Sequence, residues 1–388
     1  MSYFSSDFTL GILGGGQLGK MLLYETRKWD VRTRVMDPSG VAPSRLACNE
    51  FVQGDLMDYD AVMAFGKDLD LVTIEIENVN PQALQDLEDS GVRVYPDAKT
   101  LRVIQNKARQ KLFYRDKDIP TAPFSRFAYT SEIADSIKNG GLAFPFVWKS
   151  AQFGYDGQGV KIVRKATDLS GLPNVECVVE TLIPFKNELA VIVARSPSGE
   201  TQTYPVVEME FHPEANQVEY VLCPARIPEN VAVKAREVAL RVSESLGHVG
   251  LLAVELFQTE ADEILVNEVA PRPHNSGHYS IEGSFTNQFE QHLRAILGLP
   301  LGKTDSKVSA VMVNLVGAEG YRGPVYYKGI EDILRLPGVT PHIYGKSETR
   351  PFRKMGHVTI VDPSIEKARE VAAQVKEKIE VISNKTTS

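Results

Sequence analysis

Short apolar runs alternate with amphipathic stretches over about the first hundred residues. Phe8 to Leu13 reads as a buried strand, Leu18 to Lys28 carries helical spacing, and Arg32 to Met36 reads as a second strand. Ala61 to Phe65 falls in a helix, Leu71 to Ile76 is a third strand, Pro81 to Ser90 a helix and Val92 to Tyr95 a strand. That alternation implies a parallel, doubly wound sheet. Asp97 then opens a long amphipathic helix to about Arg115, with Leu101, Ile104, Ala108 and Leu112 on one stripe.

Asp118-Ile119-Pro120-Thr121-Ala122-Pro123 breaks the pattern and marks a boundary. Residues 144–180 are strand-rich, and 186–303 mix strands with helices near 229–246 and 285–297. From Val308 short strands follow. A closing helix is predicted where Ile365, Ala368, Ala372, Val375, Ile379 and Ile382 keep helical spacing. The whole reads as α/β followed by α+β, without internal repeats.

A chain of 388 residues has material for two to three domains. A hydrophobic fraction of 43% and a charged fraction of 24% are those of an ordinary globular protein. The net charge of -7 lacks the basic footprint that nucleic-acid binding needs. Lys346, Arg350, Arg353 and Lys354 nevertheless form a local basic cluster suited to a small phosphorylated ligand, or a solvated basic face. Cys48, Cys177 and Cys223 include no CxxC pair, so neither a disulfide framework nor a zinc site is expected, and a reducing cytoplasm fits. No signal-peptide pattern opens the chain, and no apolar run approaches about 20 residues, so no membrane span is expected.

Gly14-Gly15-Gly16-Gln17-Leu18-Gly19 fits G-x-G-x-x-G between a strand and a helix, and Asp37 ends the next strand. Such a turn serves a dinucleotide, simple helix-on-strand packing, or a polar substrate lying over its N–H groups, and the last is favoured.

A second signal lies in Leu251 to Phe257 and Ile264 to Val269, two apolar strands around the polar turn Gln258 to Glu263. A hairpin centred between Ala261 and Asp262 sets Glu255 opposite Glu268 on one face. Carboxylates about 5 Å apart repel by roughly 3 kcal/mol at an effective dielectric of about 20. A divalent cation resolves the conflict, and oxygen ligands suit magnesium. Two solvent-facing glutamates on an edge hairpin are the bland alternative. Asn267 points to the other face unless a bulge intervenes.

Pro145 to Lys149 is a strand ending in a lysine. Gly154, Gly157 and Gly159 then mark a loop able to close over phosphates, before the strand Val160 to Val163. Val178 to Ile183 leads into a linker that could hold adenine, and Glu188 is placed either to accept ribose hydroxyls or as a solvated strand end.

The order of Lys107, Lys149, the 154–159 loop, Glu180, Glu188, Glu255 and Asn267-Glu268 resembles that of an ATP-grasp enzyme. Nearly the whole chain resembles the N5-carboxyaminoimidazole ribonucleotide synthetase family. Its signatures here are Gly14 to Gly19, Glu75-Ile76-Glu77-Asn78-Val79, Phe153 to Gly159 and Asn267 to His278. Ile281-Glu282-Gly283, Gln288 to His292 and Gly345-Lys346 to His357 complete them. Gln158, Val160, Phe352 and the run Glu210-Phe211-His212 depart from the family's usual residues.

The resemblance implies an N-terminal doubly wound, Rossmann-like domain over 1–118 and an ATP-grasp lid over 119–185. It implies a large ATP-grasp subdomain with the metal site over 186–305 and a small C-terminal β-rich domain over 306–388. It implies ATP as co-substrate, held by Lys107, Lys149, Gly154, Tyr155, Asp156, Gly157, Gln158, Gly159, Glu180, Leu182, Ile183, Glu188, His212, Asn267 and Glu268, with Mg2+ on Glu255 and Glu268. Gly16, Gln17, Leu18 and Glu75 would meet aminoimidazole ribonucleotide, with Lys346, Arg350 and Arg353 around its 5′-phosphate. Tyr155, Asp156, Arg272, His274 and Asn275 would line the ribonucleotide and bicarbonate pocket as the catalytic set. A cytoplasmic homodimer is also implied. The rivals are another ATP-grasp ligase (a formate-dependent glycinamide ribonucleotide transformylase or a biotin carboxylase type), an NAD-dependent oxidoreductase built on the glycine turn, and a non-catalytic relative.

Overall fold

The computed structural model describes residues 3–152, 159–212 and 217–384. The chain begins β1 (Thr9–Leu13), α1 (Gln17–Lys28), β2 (Arg32–Asp37), β3 (Glu50–Gln53), α2 (Tyr59–Gly66), β4 (Leu71–Ile74), α3 (Pro81–Asp89) and β5 (Arg93–Tyr95). These strands form a parallel sheet in the order β3-β2-β1-β4-β5. Alternation along the strands divides the core. Leu13, Met36, Val72 and Ile74 pack under α2 and α3, while Leu10, Ile12, Val35 and Leu71 meet α1 on the other face. β3 was not predicted, so Leu71–Ile74 is the fourth strand rather than the third, and it stops before Glu75.

The single helix predicted from Asp97 to Arg115 is two, α4 (Ala98–Ile104) and α5 (Lys107–Asp116). The Asn106 side chain accepts from the Arg109 N–H and so caps a new start. Gln105 donates to the carbonyls of Glu77 and Val79, which ties the break to the first domain. Lys107 N–H donates to the Ala151 carbonyl, so the lysine begins its helix against the next sheet.

That sheet holds β6 (Phe124–Phe127), β7 (Phe146–Ser150), β8 (Val160–Val163) and β9 (Cys177–Thr181) in the order β6-β9-β7-β8, with α6 (Glu132–Lys138) against it. Next come β10 (Phe185–Arg195), β11 (Thr201–Thr203), β12 (Val207–Phe211), β13 (Val218–Cys223), α7 (Glu229–Leu246), β14 (Gly250–Thr259), β15 (Ile264–Ala270), α8 (Ser280–Gly283) and α9 (Gln288–Ile296). The chain closes with β16 (Ser309–Val316), β17 (Gly323–Lys328), α10 (Ile330–Ile333), β18 (Val339–Ile343), β19 (Glu348–Thr349), β20 (Lys354–Asp362), α11 (Ile365–Lys378) and β21 (Glu380–Ser383).

A nine-stranded sheet, with main path β15-β14-β10-β12-β13-β16-β20-β18, runs unbroken past residue 305. Leu189, Val191, Leu252 and Val254 bury one of its faces under α7, which leaves Ala190 and Glu255, register partners, on the other. α9 packs with α1 on the first domain's sheet, so the region that carries the nine-stranded sheet and the N-terminal domain share a core. The closing helix ends at Lys378, short of prediction. Ile382 instead pairs with Tyr326 of β17, whose open edge takes up the backbone.

Candidate active site

The β14–β15 hairpin places Glu255 opposite Glu268. Near the turn the register is Phe257 with Leu265 and Leu256 with Val266, and it shifts by one residue between Glu255 and Leu256. Asn267 is the extra residue, a β-bulge. The bulge brings the Asn267 amide oxygen within 2.9 Å of the donating Lys149 ammonium. Lys107 donates to Glu268. Burial, then Glu268 and Glu188, push the Glu255 carboxyl up, while Lys107 foremost holds Glu268 well below the usual range. His274 Nε2 stands 3.5 Å from Glu255 Oε1.

Two opposed carboxylates, one electrostatically frustrated, are a fit for a divalent cation. No group of three or more His, Cys, Asp or Glu among the described residues forms a complete metal cage. Magnesium commonly takes one or two carboxylates plus substrate phosphates, and Glu255 and Glu268 are the two carboxylates that could hold it.

Antiparallel pairing of β7 with β9 sets Val147 opposite Glu180, so Lys149 and Glu180 are diagonal neighbours on one face. Lys149 stands 3.1 Å from the Glu180 carboxylate, and Lys111 of α5 stands 3.2 Å from the same oxygen. Burial raises the Glu180 carboxyl, but the two lysines outweigh it and its pKa is lowered. Burial brings Lys111 down to about 8, and it also donates to Thr121 Oγ1 at 2.6 Å. Lys111 was not singled out in the sequence. It turns Glu180 inward, which leaves the chain at Leu182 and Ile183, between β9 and β10, as the surface beside which a base could lie. Glu188, on β10 beside the hairpin, is raised to about 7, chiefly by burial. Gly159 is described, with φ of 74°. Gly154, Tyr155, Asp156, Gly157 and Gln158 lie outside the described residues.

At the glycine turn, Gly15 N–H donates to Asp37 at 2.7 Å, and the N–H groups of Gly16 and Gly19 each donate to Glu75 at 3.0 Å. A Cβ on Gly16 would lie 2.7 Å from a Glu75 oxygen, which explains glycine there. Carboxylates already hold the N–H groups of Gly15, Gly16 and Gly19, so these three donors serve neither a dinucleotide pyrophosphate nor a polar substrate, and a ligand over the turn meets Gln17, Glu75 and the remaining backbone instead. Gln17 is half-buried, and Leu18 is buried in the core and can offer only backbone. Arg272 pairs with Glu77 at 2.9 Å, joining the segment after β4 to the segment after β15.

Lys20 of α1 donates to the carbonyls of Ile343 and Tyr344, which brings the C-terminal basic cluster beside the glycine-turn helix. Within that cluster Lys346 donates to the Lys354 carbonyl at 2.7 Å and Arg353 to the Glu348 carbonyl at 2.6 Å, while Arg350 is exposed. Asn275 and Asn314 exchange amide hydrogen bonds at 2.8 and 2.9 Å. His212 lines a cavity of about 410 Å³ with Asn314, Phe352 and the end of α11.

These features define an ATP-grasp ligase. The ATP-grasp domain family matches residues 112–289, the ribonucleotide synthetase preATP-grasp domain residues 8–105, and the phosphoribosylaminoimidazole carboxylase C-terminal domain residues 310–371. The N5-carboxyaminoimidazole ribonucleotide synthase of Bacillus subtilis is 36% identical over 357 residues, 91% of each chain. The crystal structure of the Thermotoga maritima N5-carboxyaminoimidazole ribonucleotide synthetase superposes with a TM-score of 0.90 at 40% identity, over 97% of this chain and 100% of that one. An Aspergillus clavatus N5-carboxyaminoimidazole synthase, in complex with ADP and 5-aminoimidazole ribonucleotide, superposes at 0.87 with 31% identity, over 96% of this chain and 98% of that one. The chain belongs to the N5-carboxyaminoimidazole ribonucleotide synthase family.

Proposed function

We propose that this protein carboxylates 5-aminoimidazole ribonucleotide with bicarbonate at the expense of ATP, giving N5-carboxyaminoimidazole ribonucleotide, ADP and phosphate in purine biosynthesis. The observation that carries the reading is the meeting of Lys107 and Lys149 with Glu268 and Asn267 at the bulge opposite Glu255. Lys107 and Lys149 bind the phosphates, the chain at Leu182 and Ile183 receives adenine, and Glu188 accepts from the ribose. His212, Asn267 and the loop of Gly154, Gly157, Gln158 and Gly159 complete the ATP site.

A bicarbonate oxygen attacks the γ-phosphorus, the bond to ADP breaks, and carboxyphosphate forms. The exocyclic amine then attacks its carbon, the carbon–oxygen bond to phosphate breaks, and phosphate leaves. Carboxyphosphate hydrolyses readily, so the pocket walls, with Tyr155, Asp156, Arg272, His274 and Asn275, must exclude water. Mg2+ held by Glu255 and Glu268 would supply charge stabilisation at the transferring phosphoryl group. The ribonucleotide lies over Gly16, Gln17, Leu18 and Glu75, with Lys346, Arg350 and Arg353 toward its phosphate. The half-buried Lys346 and Arg353 and the exposed Arg350, brought beside α1, support that placement.

The units 1–118, 119–185, 186–305 and 306–388 carry these roles as a homodimer in the cytoplasm. Free cysteines fit that compartment, and no described helix is long and apolar enough to cross a membrane. The test is ADP release with bicarbonate, with and without 5-aminoimidazole ribonucleotide and with no nicotinamide present. Release that requires the ribonucleotide supports the reading, and release indifferent to it overturns the substrate assignment.

A further inference from the structure

Helix α9 carries two fully buried glutamines, Gln288 and Gln291. Each uses its amide to grip one residue's backbone from both sides. Gln291 accepts from Gly302 N–H at 2.8 Å and donates to Gly302 C=O at 2.9 Å. Gln288 accepts from His274 N–H at 2.8 Å and donates to His274 C=O at 2.9 Å. Its amide nitrogen also lies 2.8 Å from His278 Nδ1, and its own N–H donates to Ser280 Oγ. A Cβ on Gly277 would lie 2.4 Å from the Gln288 amide oxygen, so the loop is shaped around this side chain.

The gripped residue faces the metal hairpin. Ser276 N–H donates to His274 Nδ1. Nδ1 also lies 2.9 Å from Ser276 Oγ, so Ser276 holds that side of the ring and Nε2 is the atom turned toward Glu255. Backbone clamp, ring and carboxylate thus form one chain of contacts running from the Gln288 amide.

We propose that Gln288 is a positioning residue of the carboxylation site, which through the His274 backbone fixes the imidazole on Glu255 and the adjoining Asn275 in the pocket wall. This rests on the function proposed above. Gln291 makes the same clamp on Gly302, next to Leu301, which packs against Leu251, Ala253 and Ala270 of the hairpin; it grips neither His274 nor Asn275, and so serves as a matched control. Gln288→Glu keeps the shape and the acceptor but loses the donor to the His274 carbonyl.

A displacement of about 1 Å at a reacting group can cost about a hundredfold. Gln288→Glu should therefore lower kcat about tenfold to a hundredfold with little change in the KM for ATP. It should also raise the ratio of ADP released to carboxylated product, because a loosened wall lets carboxyphosphate meet water. Gln291→Glu should leave that ratio unchanged even where it lowers the melting temperature comparably. Nitrogen-15 histidine spectra provide a readout independent of turnover. The His274 ring signals should coincide in wild type and in Gln291→Glu and shift in Gln288→Glu.

Equal ratios and equal His274 spectra in the two variants would overturn the proposal. Gln288→Met is read if Gln288→Glu does not fold. Failure of both to fold, while the Gln291 variants fold, makes Gln288 a stability element and also overturns it. A wild type that makes no carboxylated product refutes the proposed function instead, and the spectra still decide the positioning.

Discussion

Glu255→Gln separates stability from function at the hairpin. Glu255 opposes Glu268, and its side chain is 17% exposed. At about 5 Å and an effective dielectric of about 20 their repulsion is roughly 3 kcal/mol, and the Lys107 pair on Glu268 offsets part of it. The Glu255 carboxyl is raised in the fold, by burial and then by Glu268. Between the unfolded value of about 4.3 and the folded value, the native state holds a proton that the unfolded state has released. Native stability at this site therefore falls as pH rises through that window, and glutamine, always neutral, lacks the dependence. In metal-free buffer Glu255→Gln should match wild type near pH 5 and exceed it by about 1–2 kcal/mol near pH 9, read from urea midpoints. In the same protein, turnover at saturating magnesium should fall to background. A stability gap that shrinks with pH, or near-normal turnover, would refute the account of the pair as a cation site.

Arg353→Ala should lose a charge-assisted hydrogen bond of about 1.5–3 kcal/mol and lower kcat/KM for the ribonucleotide about tenfold to a hundredfold. Isothermal titration should show ATP affinity unchanged, with Lys346→Ala behaving the same way more mildly. Lys111→Met removes one of two lysines from the buried Glu180, and calorimetric unfolding should show a loss of about 2–4 kcal/mol that Glu180→Gln in the same chain partly restores. His248 and His292 are buried and held neutral, at about 4 and about 3. Below the unfolded value of about 6.5 only the unfolded state takes up their protons. Their contribution to stability should then fall on acidification by up to about 1.4 kcal/mol per pH unit for each, opposite in sign to that of Glu255, so it is read as the difference in pH slope between wild type and His292→Gln from about pH 6.5 to 5; equal slopes would contradict a buried neutral His292.

The hairpin was legible because two glutamates in apolar strands are conspicuous at period two. The register was not fully legible. A regular hairpin needs no bulge, and Asn267 became a neighbour of Lys149 only through the inserted residue. β3 was missed because Glu50-Phe51-Val52-Gln53 is a half-exposed edge strand with two apolar residues. The break before α5 had a local signal in Asn106, a good cap, but the apolar stripe from Leu101 to Leu112 ran across it. Ile379 and Ile382 kept helical spacing, and only the distant β17 drew Ile382 into a strand. Lys111 carries no local signal, since a polar residue on a helix is ordinarily solvated, and Gln288 stood out only as part of a family signature, with no role attached. Their partners Glu180 and His274 come from other elements of the fold. The glycine turn was legible as a motif but not as chemistry, because Glu75, which fills it, arrives from the segment just after another strand, β4.

The central claim is that ATP activates bicarbonate before the amine is carboxylated. Turnover with oxygen-18 bicarbonate tests it most directly. Attack by bicarbonate on the γ-phosphorus, followed by loss of phosphate from the carbon, predicts one labelled oxygen in the released phosphate for each carboxylated ribonucleotide. Unlabelled phosphate, with labelled carboxylated product still formed, would contradict the account.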